Sequence, residues 1–316
     1  MKAIKSFRHE TPSVGGGGLT MLDHGVHLGT SEELYRNQRD EKGFRVTHQS
    51  DLKPLAETTD IHYRHALMSP SRTDSMSLGQ QAHARLLERS EFEKRYFRAA
   101  VQDDNGIPIK THRGSKAWKE LVAANPDKEA VRWEDWDLIE TICTRVLETQ
   151  TGRALLLPED AGQNELVIRW ADQDTGVECT GRIDRFAVVD GVEFIVDFKT
   201  SSDAVNPTQV SRALDKWAVA MQAAFYMDGY ALASGKPNPA RVFALIYVET
   251  KPPHGVAFYE LGKESIEIGR YAYKACLRKV KRIQDTNEYR SYPDALMPIE
   301  LPPWARDGDG LLEGEL

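Results

Sequence analysis

The chain has 316 residues, 41% of them hydrophobic, with 41 basic and 48 acidic side chains for a formal charge of −7. That is enough apolar material for a substantial core. The charge excludes a protein coated in basic surface but not one whose positive potential is confined to a groove. No run approaches the roughly eighteen apolar residues of a membrane span, and the N-terminus MKAIKSFRHE lacks a signal-peptide apolar stretch. A cytoplasmic protein with no membrane partner is therefore expected. Cys143, Cys179 and Cys276 are odd in number and far apart, which argues against a disulfide framework; an iron–sulfur cluster needs four thiolates and is not expected.

Residues 1–45 carry little pattern, beginning with a flexible break of four glycines after Val14 that no Lys-Ser/Thr follows. His24, His27, His62 and His65 lack adjacent Cys or carboxylate partners and read as surface or packing residues. Ser50 reads as a helix N-cap, and Pro70 with Ser-Arg-Thr-Asp as a loop. Ser77-Leu78-Gly79 opens a helix whose Leu78, Ala82, Leu86 and Phe92 form an apolar stripe, with His83 at its edge. On pattern alone His83 is a satisfied core histidine. Residues 102–130 are polar and loop-rich. Their basic stretch of Lys110, His112, Arg113 and Lys116 leading to Trp118 suits either phosphate contact or a solvated connector. A helix is predicted over 134–150, with Trp136, Ile139, Cys143 and Val146 on one face.

A three-strand meander follows over 165–170, 177–189 and 192–200, with a turn over 172–176. Asp190-Gly191 between apolar-alternating runs is a hairpin signal. A two-residue turn there places Asp184 opposite Asp197 and Arg182 opposite Lys199. Two carboxylates facing each other cost up to ~1 kcal/mol, and a divalent cation would reverse that sign; oxygen ligands suit Mg²⁺ or Mn²⁺. The alternative is a solvated face with Asp184 paired to Arg182 or Arg185 and Asp197 to Lys199. Downstream, a long helix is predicted over 207–233. It places Gln222 and Tyr226 on one face, with Trp217, Met221 and Phe225 on an adjacent apolar one. Strands over 242–248 and 256–261 precede a helix over 264–285, whose Arg278, Lys279, Lys281 and Arg282 complement its C-terminal dipole. The segment from Tyr292 to Trp304 is expected to pack across the domain, and residues 305–316 to form a frayed acidic tail.

Gly-Arg-Ile-Asp184, a hairpin, then Val-Asp197-Phe198-Lys199-Thr resembles the PD-(D/E)xK nuclease signature. Leu78-Gly-x-x-x-His83 and Gln222-x-x-x-Tyr226 are similar to the first and last motifs of its RecB-like branch. The order of the four motifs over residues 46–304 resembles the nuclease domain of the exodeoxyribonuclease VIII (RecE-type) family. The resemblance implies an α/β (α+β) restriction-endonuclease-like core, a mixed central sheet flanked by helices. It implies hydrolysis of DNA phosphodiesters with Mg²⁺, for which Mn²⁺ substitutes, by digestion of duplex ends in the 5′→3′ direction. The implied metal shell is Asp184, Asp197, His83 and the Phe198 carbonyl, with Glu165 as a further candidate. Lys199 would position or deprotonate the attacking water or stabilise developing charge, and Gln222 and Tyr226 would orient the lysine and the phosphate. A ring-shaped homo-oligomer on double-stranded DNA ends and a single-strand annealing protein as partner are implied as well. The rival readings are an endonuclease of the same superfamily and a catalytically silent DNA-binding protein.

Overall fold

The hairpin at Asp190-Gly191 organises the sheet. Both turn residues have positive φ, 50° and 80°, the geometry that matches the twist of the strands it joins, and Val189 pairs with Val192. The computed structural model describes residues 21–68, 74–103, 105–109, 112–157, 162–216 and 218–300, without side chains at 74–77 and 215–216. The glycine run after Val14, the loop at Pro70, Lys110, Trp217, Leu301 to Trp304 and the acidic tail lie outside the described residues.

In chain order the elements are β1 (Gly25–His27), α1 (Glu32–Arg36), β2 (Thr47–His48), α2 (Gln49–Glu57), α3 (Asp60–Met68), α4 (Asp74–Leu87), α5 (Arg89–Arg95), β3 (Tyr96–Ala99), β4 (Val101–Gln102), β5 (Pro108–Ile109), α6 (Lys116–Ala123), β6 (Glu129–Arg132), α7 (Trp133–Glu148) and α8 (Gln150–Leu156). Then come β7 (Gly162–Ala171), β8 (Glu178–Val189), β9 (Val192–Ser201), α9 (Pro207–Lys216), α10 (Val219–Ser234), β10 (Val242–Glu249), β11 (Val256–Glu260) and α11 (Lys263–Thr286). The main sheet runs β1-β7-β8-β9-β10-β11, with β2 beside β8. The β9–β10 and β2–β8 pairs are parallel and the others antiparallel. The parallel pair is bridged by the crossover through α9 and α10, as parallel pairing requires.

Alternate residues of β9 and β10 divide between two cores. Ile195, Phe243, Leu245 and Tyr247 join the side built from α2, α3, α10 and α11. Val196, Phe198, Ala244, Ile246 and Val248 join the side built from α4, α5, α7 and α8. These strands are buried on both faces, as their nearly unbroken apolar sequences demand. Helix α10 buries residues all round its circumference, the mark of a helix lying inside the protein. It ends at Gly235 in the left-handed conformation usual for a helix stop.

The structure departs from the sequence reading at several places. Helix α2 starts two residues earlier: its N-cap is His48, whose N–H is held by the Asp51 carboxylate at 3.0 Å, so Ser50 sits inside the first turn. The single long helix becomes two, because Ala218 adopts φ 52° and turns the chain between α9 and α10. Trp118 is buried on α6 and unavailable for stacking on nucleic acid. Helix α11 ends at Thr286, within a residue of the expected end, but two of its basic residues are engaged sideways. Lys279 Nζ donates to Leu55 O at 2.7 Å and Arg282 pairs with Asp60, tying α11 to α2 and α3. Leu296, Met297 and Ile299 are exposed and do not pack across the domain, while the largely exposed Tyr292 ring only touches His62 of α3, 5.7 Å between centroids. Strand β1 and helix α8 arise where no element was predicted. Among the described residues no helix is long and apolar enough to cross a membrane.

Phe225 has no exposed surface and its ring lies 4.8 Å from Trp170 and 5.6 Å from Tyr273. Phe225→Ala should therefore cost roughly 3–5 kcal/mol in urea unfolding, whereas Tyr271→Ala, at an exposed position on α11, should stay within about 0.5 kcal/mol of wild type.

Candidate active site

The site forms where the hairpin comes apart. The β8–β9 ladder runs from Val189–Val192 to Arg185–Val196 in the predicted register and then stops. The first half of β8 pairs with β2 instead, Thr47 to Cys179 and His48 to Thr180. Asp184 therefore does not face Asp197 across a continuous ladder, nor Arg182 face Lys199. Where that pairing would continue, Asp184 Oδ2 accepts the Phe198 N–H at 3.0 Å, a side chain taking up a main-chain donor released by the strand's departure. The neighbouring strand bends at the same level. The β7–β8 register is the same on both sides of Glu165 and Asp184, but these two residues drop out of the ladder, and Glu165 has φ 52°. Side-chain alternation is broken there: Ile183 lies in the core containing α10, while Arg185, two residues on, donates to Leu155 O of α8 at 2.6 Å and to Asn164 at 2.8 Å.

The bend gathers three ligand types. His83 Nε2 on α4 lies 3.2 Å from Asp184 Oδ1 and 3.4 Å from Glu165 Oε1. One ligand atom each from His83, Glu165 and Asp184 fall within 4.8 Å of one another. Helix α4 can approach this closely because Gly79 faces β9: a Cβ there would meet Thr200 Oγ1 at 3.2 Å. Arg182 pairs with Glu165, Nε to Oε2 at 2.7 Å, and with Glu32 on α1, and its guanidinium lies 4.9 Å from the centre of the Tyr35 ring. The alternative pairing of Asp184 with Arg182 or Arg185 is not formed. Burial opposes charge on His83, but the Asp184 and Glu165 carboxylates outweigh it and push its pKa up to about 9. Burial raises Glu165 to about 7 against the pull of His83 and Arg182. Burial likewise opposes ionisation of Asp184, which His83 and the Phe198 N–H overcome to hold it low.

From the other face comes α10. Gln222 Nε2 donates to Asp197 Oδ1 at 2.7 Å, and its Oε1 accepts from Lys199 Nζ at 3.3 Å. Nζ also lies 2.9 Å from Asp197 Oδ2. Burial would discharge Lys199, but Asp197 more than offsets it and raises the ammonium pKa. Burial and, after it, the Asp184 charge raise the Asp197 pKa as well, in spite of Lys199 and Gln222. Tyr226, one turn after Gln222, is buried against Gly181: a Cβ there would meet its ring at 2.9 Å. That close approach accounts for the glycine of Gly-Arg-Ile-Asp.

The donor set suits a hard divalent cation, with carboxylate oxygens and one imidazole. Glu165 Oε2 and Asp197 Oδ2 are buried, and each meets its cation as an ion pair without an aligned hydrogen bond. Both keep acceptor capacity turned away from solvent. Residues 48–294 match the model of a family described as a PDDEXK-like domain of unknown function (DUF3799).

The chain belongs to this family.

The PDDEXK-like assignment agrees with the fold, a restriction-endonuclease-like core with a mixed sheet between helices. Among solved structures, a "Putative exonuclease" from Eubacterium rectale is 12% identical over 90% of this chain and 100% of its own, with a TM-score of 0.57. A further structure, protein VC1899 from Vibrio cholerae, is 13% identical over 74% of this chain and 55% of its own at a TM-score of 0.21, too slight a likeness to argue from. No curated protein matches the sequence. Within the PDDEXK-like core, His83, Glu165 and Asp184 come together as one group, and Asp197, Lys199 and Gln222 as another. Tyr226 lines the floor, and Phe198 contributes its N–H to Asp184. Sequence reasoning missed the part of Arg182 and of Glu32 and Tyr35, which fix Glu165 from a segment that had no readable pattern. The only signal was Ser31, whose side chain caps α1.

A cation binding this triad must displace the His83 proton and, below about pH 7, the Glu165 proton as well. Mn²⁺ affinity measured by calorimetry should rise roughly a hundredfold per pH unit below 7 and roughly tenfold per pH unit between 7 and 9. His83→Ala should weaken binding and leave a rise of no more than about tenfold per pH unit, from the Glu165 proton alone.

Proposed function

We propose that the protein is a divalent-metal-dependent nuclease that hydrolyses phosphodiesters of linear duplex DNA, digesting 5′→3′ from the ends to leave single strands for recombination by annealing. The observation that carries this reading is the buried Lys199–Asp197–Gln222 group set beside the His83–Glu165–Asp184 triad. A lysine kept charged by a carboxylate, next to a cation site, serves phosphate chemistry, in which negative charge grows on non-bridging oxygens. A bound Mg²⁺ would lower the pKa of a water and screen the phosphate; Asp184, Asp197, His83, the Phe198 carbonyl and Glu165 are the residues that would hold it.

The remaining roles fall to the chain's own groups. Asp197 and Gln222 fix the Lys199 ammonium at two points, so it can donate a hydrogen bond to the attacking water or to a phosphate oxygen without reorganising. Because Asp197 raises its pKa, Lys199 acts as a donor and charge stabiliser in preference to a base. Tyr226, adjacent to the acids, supplies a hydroxyl for the phosphate. Exonuclease action on ends is consistent with the name of the Eubacterium rectale structure. A ring of identical subunits would let an acidic chain of net charge −7 concentrate its positive potential in one channel, with an annealing protein receiving the single strand.

The test is digestion of end-labelled linear duplex with Mg²⁺, with a closed circle in parallel. Loss of the linear DNA alone, from its 5′ ends, is the expected result. Cutting of the circle would replace the exonuclease with an endonuclease, and absence of cleavage in Mg²⁺ and Mn²⁺ would leave a DNA-binding protein. Lys199→Ala and Asp197→Asn should each lower the rate by about a thousandfold without loss of folded structure by circular dichroism.

A further inference from the structure

Beyond Lys199, strand β9 ends at Ser201, and a cavity of about 200 Å³ lies between the strand ends and α9. Val210 and Ala213 of α9 and Tyr247 of β10 supply apolar lining, and Asp203, Gln209 and Arg212 supply polar groups. The cavity is smaller than the roughly 300–1,000 Å³ of a drug-sized ligand site and matches a single flat ring system.

Its position ties it to the reacting centre. Tyr247 is in register with Lys199 on the adjacent parallel strand, and Ser201 follows Lys199 by two strand residues, about 6.6 Å. The strand side is rigid. Thr250 N–H donates to Ser201 O at 2.7 Å, Val205 N–H to Glu249 at 3.1 Å and Tyr259 OH to Val205 O at 2.5 Å. On the α9 side, Gln209 and Arg212 are exposed one helical turn apart, and Arg212 makes no ion pair among the described residues. The Tyr247 hydroxyl is buried and finds no hydrogen-bond partner among the described residues. Nothing in the roles assigned to the catalytic group uses it.

The geometry points to a subsite for one unpaired nucleobase of the strand being cut, next to the scissile phosphate. This deepens the nuclease reading and rests on it. A base is favoured over a phosphate because the Asp203 carboxylate at the rim repels an anion. The amide of Gln209, the guanidinium of Arg212 and that carboxylate together offer both donors and acceptors, as base edges require. Tyr247 and Val210 are buried and close the floor, so the π-face is met by Ala213 and the exposed Arg212 guanidinium, whatever the base. A base can enter only when it has left its pair, so the subsite would favour DNA that frays beside the cut, as duplex ends do.

The test uses linear duplexes that carry one abasic site at each of the first four positions from the 5′ end. With wild type, kcat/KM should fall about tenfold at one position and hold at the others. Ala213→Trp, which fills the cavity, should lower kcat/KM on intact DNA to the same level and remove the abasic penalty. Gln209→Ala with Arg212→Ala, both on the exposed face of α9, should reduce the penalty even if the tryptophan disturbs folding. Equal rates at every abasic position, or an undiminished penalty in both variants, would overturn the subsite while leaving the nuclease standing. If wild type cuts no DNA, the nuclease reading falls, and the subsite is read by fluorescence of single strands with 2-aminopurine at successive positions. A change at one position that Ala213→Trp abolishes supports the subsite, and uniform fluorescence rejects it.

Discussion

The parting of β8 from β9 at Asp184 is the constraint on which the site depends. A hairpin that continued in register would set the Asp184 and Asp197 carboxylates against each other. The protein instead ends the ladder at Arg185, lets β2 take over the vacated edge of β8, and turns the Asp184 carboxylate onto the Phe198 N–H. The main-chain donor freed by the parting is thereby satisfied, as a buried backbone group must be. The same stroke gives Asp184 a fixed orientation. Glu165 bends with it, in a left-handed conformation that costs a non-glycine residue about 1 kcal/mol, and this local strain brings a third ligand to the cluster.

Glu32, Glu165, Asp184 and Asp197 face Arg36, Arg182, Lys199 and a protonated His83. Burial makes the charges of His83, Glu165, Asp184, Asp197 and Lys199 expensive, so the protein compensates with ion pairs and with protons retained on His83 and Glu165. A divalent cation would do the same task better, because it satisfies several carboxylates at once and leaves His83 neutral as a ligand. The two groups stay distinct through Gln222, whose amide binds Asp197 and Lys199 together. Lys199 is thereby held as a donor of fixed position beside the triad.

Much of this was legible in the sequence because it depends on local chemistry. Asp190-Gly191 fixed the hairpin register to the residue, and the spacing of Gln222 and Tyr226 placed both on the face turned to the acids. Leu78-Gly-x-x-x-His83 is local in the same way: Gly79 lies close against Thr200, and His83, one turn on, reaches Asp184 and Glu165. What remained illegible depends on tertiary competition. No propensity announces that Glu165 will adopt a positive φ, or that Thr47–His48 will displace β9 from half of β8. Arg182 was therefore assigned the wrong neighbour. The helix break at Ala218 occurs in a sequence of good helix formers, where only packing of α9 and α10 on different surfaces decides. Trp118, read beside a basic loop, is claimed by the core as large aromatics usually are.

The site is also a junction of two cores, and that governs how it can change. His83 arrives on α4, whose Ala82, Ala84 and Leu87 pack with Val196 and Phe198. Gln222 and Tyr226 arrive on α10, packed with Ile195 on the opposite face of β9. The strand that carries Asp197 and Lys199 is thus gripped from both sides, by Ile195 on their own face and by Val196 and Phe198 on the other. Shifting either core by a methyl group would move one half of the site relative to the other, since packed interiors transmit such changes. Reactive geometry is set by large apolar side chains that never approach the phosphate, and substitutions at Phe198 or Ile195 should then damage function before they unfold the protein.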